Sequence, residues 1–278
     1  TLPSEYHTGY DLIWRNPKRL NEKALVFFAS FSGATEDTLA ALHFAKGKGA
    51  KTVAIVNRAE SPMGEVADYI IPFESKALYI LPLAAAYLYS LEVARLGGEK
   101  EVEAIMAGLM SLSPVLGRLY REEEARARDL AEEFAADDLF YTLGSGPLYG
   151  LAYKFGLTVF MENMRVHGSF IETSEFRQGP IEMLEHKRPV IVILLGTDES
   201  RSTGERVRDM VRTAGARTIT FDMAEYPEIH PLLAPFVLMV PLQWFAVYST
   251  LLRGISDLDD RVYMGRGILS KGDRVTWP

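Results

Sequence analysis

NEKALVFFASFSGATEDTLAALHFAKGKGAKTVAIVN, residues Asn21–Asn57, passes from an apolar run through a hydroxyl-rich turn into a helical pattern, then through a GA turn into a second apolar run. Lys187–Asp222, KRPVIVILLGTDESRSTGERVRDMVRTAGARTITFD, repeats the order strand, polar loop, helix, GA turn, strand. The segments upstream also correspond, SEYHTGYDLIW (Ser4–Trp14) against SEFRQGPIEML (Ser174–Leu184). Self-similarity of this kind marks a duplicated unit, and a repeated strand–helix–strand argues for parallel sheets covered by helices. The second copy has a leading element, LFYTLGSGPLYGLAYKFG (Leu139–Gly156), without counterpart in the first, which is therefore expected to lack its leading βα unit.

Short apolar runs predict strands at Ala24–Phe28, Thr52–Val56, Tyr69–Phe73, Leu139–Leu143, Val190–Leu195, Thr218–Phe221 and Phe236–Val240. The expected fold class is α/β, with two lobes of doubly wound parallel sheet. Residues 1–98 form the first lobe, 99–134 a connecting helical segment, and 135–278 the second lobe with a C-terminal tail. The charge run REEEARARDLAEE (Arg121–Glu133) reads as a solvated helix face without chemistry. Leu232–Leu252 is uncharged and long enough to span a bilayer, but Pro235 and Pro241 divide it. It reads as a buried strand followed by a helix whose first turn holds Pro241, and Ala77–Leu91 as a core helix. No membrane association is expected.

With 48% apolar residues and a formal charge of −7, the chain is a folded domain protein with no basic stripe for nucleic acid. A phosphate ligand would need a local site. The absence of cysteine removes disulfides, thiolate metal sites and a thiol nucleophile, and suits the reducing cytoplasm, the expected location.

The Ala29–Thr38 turn offers such a site. A helix start exposes unpaired N–H groups and the positive end of its dipole, which favour a phosphate. Ser30, Ser32 and Thr35 add hydroxyl donors, and Gly33 allows a tight turn. An ordinary N-cap needs only one such hydroxyl. The matching loop, GTDESRST, carries Asp198 and Glu199 where the anion would sit, so that copy is expected to have lost the role. Gly144, Gly146 and Gly150 form a GxGxxxG after a strand, with Glu172 downstream. This spacing is found in dinucleotide sites, but glycine patterns of this kind are weak signals, and the preferred reading is a tight strand-to-helix turn with Pro147 starting the helix.

SFSGATEDT and KFGLTVFMENMRVHGSFIETSEFRQGPIEML resemble the phosphate loop and the catalytic helix with its following loop in the sugar isomerase (SIS) family. GSGPLYGLAYKFG, EFRQGPIE, LLGTDESRSTGERV and HPLLAPFVLMVPLQW are most similar to its fructoselysine 6-phosphate and fructosamine 6-phosphate deglycases. The resemblance covers nearly the whole chain. It implies that Ser30, Phe31, Ser32, Gly33 and Thr35 hold the phosphate, that Ser75 contacts sugar hydroxyls, and that Glu172 and Glu175 flank the pocket mouth. It also implies that Arg266 closes over substrate from the C-terminal tail. Ser75 could otherwise cap the next helix, and the two glutamates could belong to a solvated loop.

Glu162 is the general base by the same resemblance; read from the residues alone, MENM sets its carboxylate either among Phe160, Met161 and Met164 or, equally, at the surface. The family carries a histidine where this chain has Gln178, and an amide cannot donate a proton at neutral pH. Either His167 supplies the acid or the activity is altered. The resemblance implies a deglycase that splits a fructosamine 6-phosphate into glucose 6-phosphate and an amine, with neither cofactor nor metal, as a homodimer or higher homo-oligomer. The alternatives are an aldose–ketose phosphosugar isomerase, an aminosugar-phosphate deaminase, or a non-catalytic phosphosugar-binding protein.

Overall fold

The computed structural model describes residues 3–258 and Tyr263. The chain divides into two compact units, Thr1–Met106 and Ala107–Pro278.

In the first unit α1 (Gly9–Arg15) precedes β1 (Leu25–Ser30), α2 (Glu36–Gly47), β2 (Lys51–Val56), α3 (Pro62–Val66), β3 (Tyr69–Pro72) and α4 (Ile80–Leu96). The strands are parallel in the order β1-β2-β3, and Ser30 pairs with Val56, which pairs with Pro72, so their carboxyl ends are level. The buried stripe of α2, Ala41, Leu42 and Ala45, clusters with Phe28, Ala54, Val56 and Met63. Beyond α2, Gly49 takes φ 81°, a left-handed turn that glycine adopts without steric cost. The apolar helix expected at Ala77–Leu91 forms as α4, but it is not a core helix. Only Leu91 is buried, and Leu88, Tyr89 and Leu96 are exposed within this unit.

The boundary between the units falls close to the middle of α5 (Val102–Met110). The second unit continues with α6 (Leu112–Glu133), β4 (Leu139–Gly144), α7 (Tyr149–Tyr153) running on as a π-helix (Lys154–Met164), β5 (His167–Glu172) and α8 (Met183–His186). β6 (Val190–Leu195), α9 (Arg201–Thr213), β7 (Thr218–Asp222) and α10 (Ala234–Leu252) complete it. Its sheet is parallel in the order β5-β4-β6-β7. The order reverses at β4, so β4 and β6 open a switch point at their carboxyl ends, the usual ligand crevice of such sheets. All six residues of β6 are buried, and Ile191, Ile193 and Leu195 cluster with Val207 and Val211 of α9.

Two expectations are corrected here. Phe236–Val240 is not a strand but part of α10, one helix from Ala234 to Leu252 with Pro235 in its first turn and Pro241 inside. Burial on every side removes the amphipathic period, so the run has the same pattern as a buried strand. Residues 231–252 are long and apolar enough to cross a membrane, and most of them are buried in this unit. Conversely, β5 falls where a loop was expected. It is a half-buried edge strand containing Gly168 and Ser169, residues that give no β-pattern of their own.

Within the charge run on α6, Glu123 is buried and accepts a hydrogen bond from the Tyr226 hydroxyl at 2.9 Å. One member of that solvated face therefore belongs to the interior, on the stripe with Leu119 and Ala127.

Candidate functional site

The Ser30–Thr35 turn leaves β1 at the carboxyl edge of the first sheet and enters α2. Ser30 is buried, and its Oγ accepts the Gly33 N–H at 3.1 Å and pairs with Thr35 Oγ1 at 2.7 Å. Gly33 has φ 61°, and a Cβ there would collide with Ser61, whose Oγ caps α3 through the Gly64 N–H. The turn is thus built on its glycine and closed by Ser30. Ser32 and Thr35 are exposed, with Ser32 Oγ accepting the Ala34 N–H at 3.2 Å. Thr35 takes the N-cap position of α2 without a side-chain bond to the helix, so its hydroxyl serves the turn instead. The acids of the first helical turn point elsewhere: Glu36 accepts the Tyr10 hydroxyl at 3.0 Å, and Asp37 accepts the Thr38 N–H at 2.7 Å.

Asn57, the last residue of the opening stretch, was not singled out in the sequence. It joins three segments at this edge. Its N–H donates to Phe31 O at 3.2 Å, its carbonyl accepts the Glu74 N–H at 2.9 Å, and its Oδ1 accepts the Ser75 N–H at 2.9 Å. The Phe31 and Phe73 rings lie 6.0 Å apart alongside. Ser75 Oγ accepts the Ala77 N–H at 3.1 Å, so Ser75 stands in a turn held against the Phe31 loop. A polar residue closing a strand at the ligand-bearing edge is the signal that could have revealed Asn57.

The two repeat copies align without a gap from Ala24 against Val190 to Val56 against Asp222. Ser32 then corresponds to Asp198, Thr35 to Arg201, and Val56 to Asp222. In the second copy Arg201 makes a bidentate pair with Asp222, at 2.7 and 3.0 Å, and also donates to Gly196 O. Burial alone would raise the Asp222 carboxyl, but Arg201 and the Ala224 N–H outweigh it and hold the group below its ordinary range. Asp198 stands against Gly146, with Oδ1 accepting the Ser200 N–H at 2.9 Å and Oδ2 buried without a hydrogen-bond partner among the described residues. A fixed carboxylate at the start of α9 opposes a second anion, so this copy is filled by its own charges.

The first two glycines of GxGxxxG have packing roles, whereas Gly150 is exposed with open space around it. A Cβ on Gly144 would clash with Ala152, and Gly146 needs φ 54° against Asp198. Glu172 closes the same corner: its carboxylate accepts the Ser145 and Ser174 hydroxyls and the N–H groups of Ser174 at 2.7 Å and Glu175 at 3.3 Å. Burial alone would raise the Glu172 carboxyl, but these four bonds lower it overall. Glu172 thus anchors the exposed loop that carries Glu175 and Gln178.

Glu162 is half-buried near the end of the π-helix, between buried Phe160 and Met164, with Met161 turned outward. Burial pushes the Lys154 ammonium at the other end of this helix below its ordinary range, and the Glu162 carboxylate offsets that only in part. Arg165, at φ 57°, turns the chain into β5, so exposed His167 begins the strand at the Glu162 end. Gln178 follows the opposite end of β5, a strand roughly 17 Å long. The second unit therefore groups Glu162 with His167 and separates both from Gln178. Arg266 lies outside the described residues. Among the described residues no His, Asp or Glu cluster is arranged to hold a metal ion.

Residues 1–94 match the model of the SIS domain. The chain is 35% identical, over 93% of its own length and 76% of the relative's, to fructoselysine 6-phosphate deglycase of Escherichia coli (strain K12). It is 32% identical to fructosamine deglycase FrlB of Bacillus subtilis (strain 168), covering 88% of this chain and 78% of that protein. A crystal structure from Bacillus subtilis, described as that of a phosphosugar isomerase, superposes with a TM-score of 0.85 at 30% identity, covering 93% of this chain and 81% of the other.

Proposed function

Since this chain belongs to the SIS domain family, we propose that it is a deglycase of 6-phosphorylated fructosamines. Its relatives make it a phosphosugar-processing enzyme of the deglycase or isomerase type. The observation that carries the finer reading is the contrast between the repeat copies: hydroxyls and a helix start in the first, an internal carboxylate and an ion pair in the second. Only the first copy offers donors without a competing negative charge at the turn.

In this reading Ser30, Ser32 and Thr35, with Phe31 and Gly33 shaping the turn, hold the 6-phosphate, and Ser75 meets the sugar hydroxyls. Glu162 takes a proton from C1 of the open-chain 1-amino-1-deoxyfructose phosphate, the C1–H electrons form the C1=C2 bond of an enolamine, and the C2=O π electrons pass to the C2 oxygen, which takes a proton. Protonation at C2 gives the C1 imine of glucose 6-phosphate. Water adds to that imine and releases the amine. A positioned base or acid contributes about 10² to 10⁴ in rate to such proton transfers. His167, at the same end of β5 as Glu162, supplies the acid that Gln178 cannot. Because Gln178 and Glu162 lie at opposite ends of β5, we assign Gln178 to a site shared with a second copy in a homodimer.

Fructoselysine 6-phosphate, fructose 6-phosphate and glucosamine 6-phosphate assayed side by side test this reading. Release of lysine and glucose 6-phosphate from the first alone supports it. Turnover confined to either of the others makes the chain an isomerase or a deaminase. Binding of all three without turnover makes it a phosphosugar-binding protein, the reading that the amide at position 178 favours.

A further inference from the structure

We infer that Asn57 is a further substrate-binding residue, whose side-chain amide donates to the sugar of the ligand between the phosphate turn and Ser75. The inference rests on the phosphate reading of the Ser30–Thr35 turn. Asn57 directly follows β2, whose last residue Val56 pairs with Ser30, so it shares the carboxyl edge with that turn. Every other polar group of Asn57 has a partner: its N–H on Phe31 O, its carbonyl on the Glu74 N–H, and its Oδ1 on the Ser75 N–H. The two main-chain bonds hold the Asn57 backbone between the two loops, and the Oδ1 bond orients its amide. Nδ2 has no hydrogen bond among the described residues, although Asn57 is half-buried. A primary amide carries two N–H donors, and one held in place with both unused loses little freedom when a ligand oxygen arrives.

The second copy carries Met223 at the position of Asn57. That methionine is fully buried, and the neighbouring Asp222 is engaged by Arg201. The donor at this edge is therefore confined to the copy whose turn is free of fixed charge. A ligand with both a phosphate and hydroxyls matches that pairing, whereas inorganic phosphate uses the turn alone.

Titration calorimetry on the full chain with fructose 6-phosphate and with inorganic phosphate separates these contributions. Asn57→Ala should weaken fructose 6-phosphate about five- to tenfold, the loss expected of one or two hydrogen bonds, while inorganic phosphate stays within about twofold. Asn57→Asp keeps an acceptor for the Ser75 N–H but loses the donor, so it should weaken fructose 6-phosphate at least as much. Its melting temperature should stay near that of the wild type, so the inference can be tested even if the alanine variant unfolds. Equal weakening of both ligands by Asn57→Ala, or unchanged fructose 6-phosphate affinity in either variant, overturns the inference and leaves the phosphate turn standing. A wild-type protein that binds neither ligand overturns the phosphate reading itself.

Discussion

At the residue scale, proton transfer is assigned to Glu162, and Gln178 stands where the family has its histidine. Glu162→Gln removes the base but keeps the size and hydrogen-bonding reach of the side chain. It should abolish exchange of the substrate C1 proton with deuterated solvent and leave binding within about threefold, measured by proton NMR and calorimetry. Gln178→His restores an acid and should raise turnover by about tenfold or more, most clearly for the ring-closed sugar. Full exchange in Glu162→Gln, together with no gain in Gln178→His, would remove the catalytic reading. The proposed phosphate turn stood out in the sequence because three hydroxyls around one glycine exceed what a helix cap needs. Asn57 did not, because a lone asparagine after a strand differs from an ordinary turn residue only through partners distant in sequence. The ties of Glu172 to Ser145 and Ser174 were not readable from its spacing, because they join residues that only the fold brings together.

At the element scale, strands and helices with their own period were legible and those without were not. β6 and α9 carry matched patterns, VIVILL and an amphipathic helix with Val207 and Val211 inward. In α10 and β5 the tertiary environment overrides the local pattern: residues 234–242 of α10 are buried on all sides, and β5 pairs, among the described residues, with β4 alone. β2 and β3 are additionally tied by Asp68. Its carboxylate accepts the Thr52 N–H at 2.9 Å, Lys46 Nζ at 3.0 Å and the Thr52 hydroxyl at 3.0 Å, which together hold its pKa down to about 2. A depressed carboxyl stabilises the fold fully above its unfolded pKa, about 4, and that contribution disappears as pH falls through the folded value. The melting temperature should therefore fall between pH 4 and pH 2 more steeply in the wild type than in Asp68→Asn. Parallel curves for the two proteins over that window would show the tie to be without effect.

At the scale of the whole molecule, duplication was legible and assembly was only implied. The first unit leaves Leu25 and Phe27 of β1 and Leu88, Tyr89 and Leu96 of α4 exposed, apolar side chains of the kind that a second copy covers. Together with the separation of Gln178 from Glu162, this supports the proposed homodimer. Sedimentation equilibrium at micromolar concentration should give about twice the chain mass, and an active species at the mass of one chain would remove the shared site. The central claim is that only the first repeat copy holds the sugar phosphate, and it is tested most directly by the affinity for fructose 6-phosphate of variants in each copy. Ser32→Ala with Thr35→Ala should weaken binding more than tenfold with only a modest fall in melting temperature, the cost of losing the Thr35–Ser30 and Ser32–Ala34 bonds. Asp198→Asn with Glu199→Ala, the matching change in the second copy, should leave the affinity within about twofold, because one hydrogen bond to a charged group contributes about 1.5–3 kcal/mol only where the ligand is bound. Equal losses from the two pairs, or a loss confined to the second, would contradict the account.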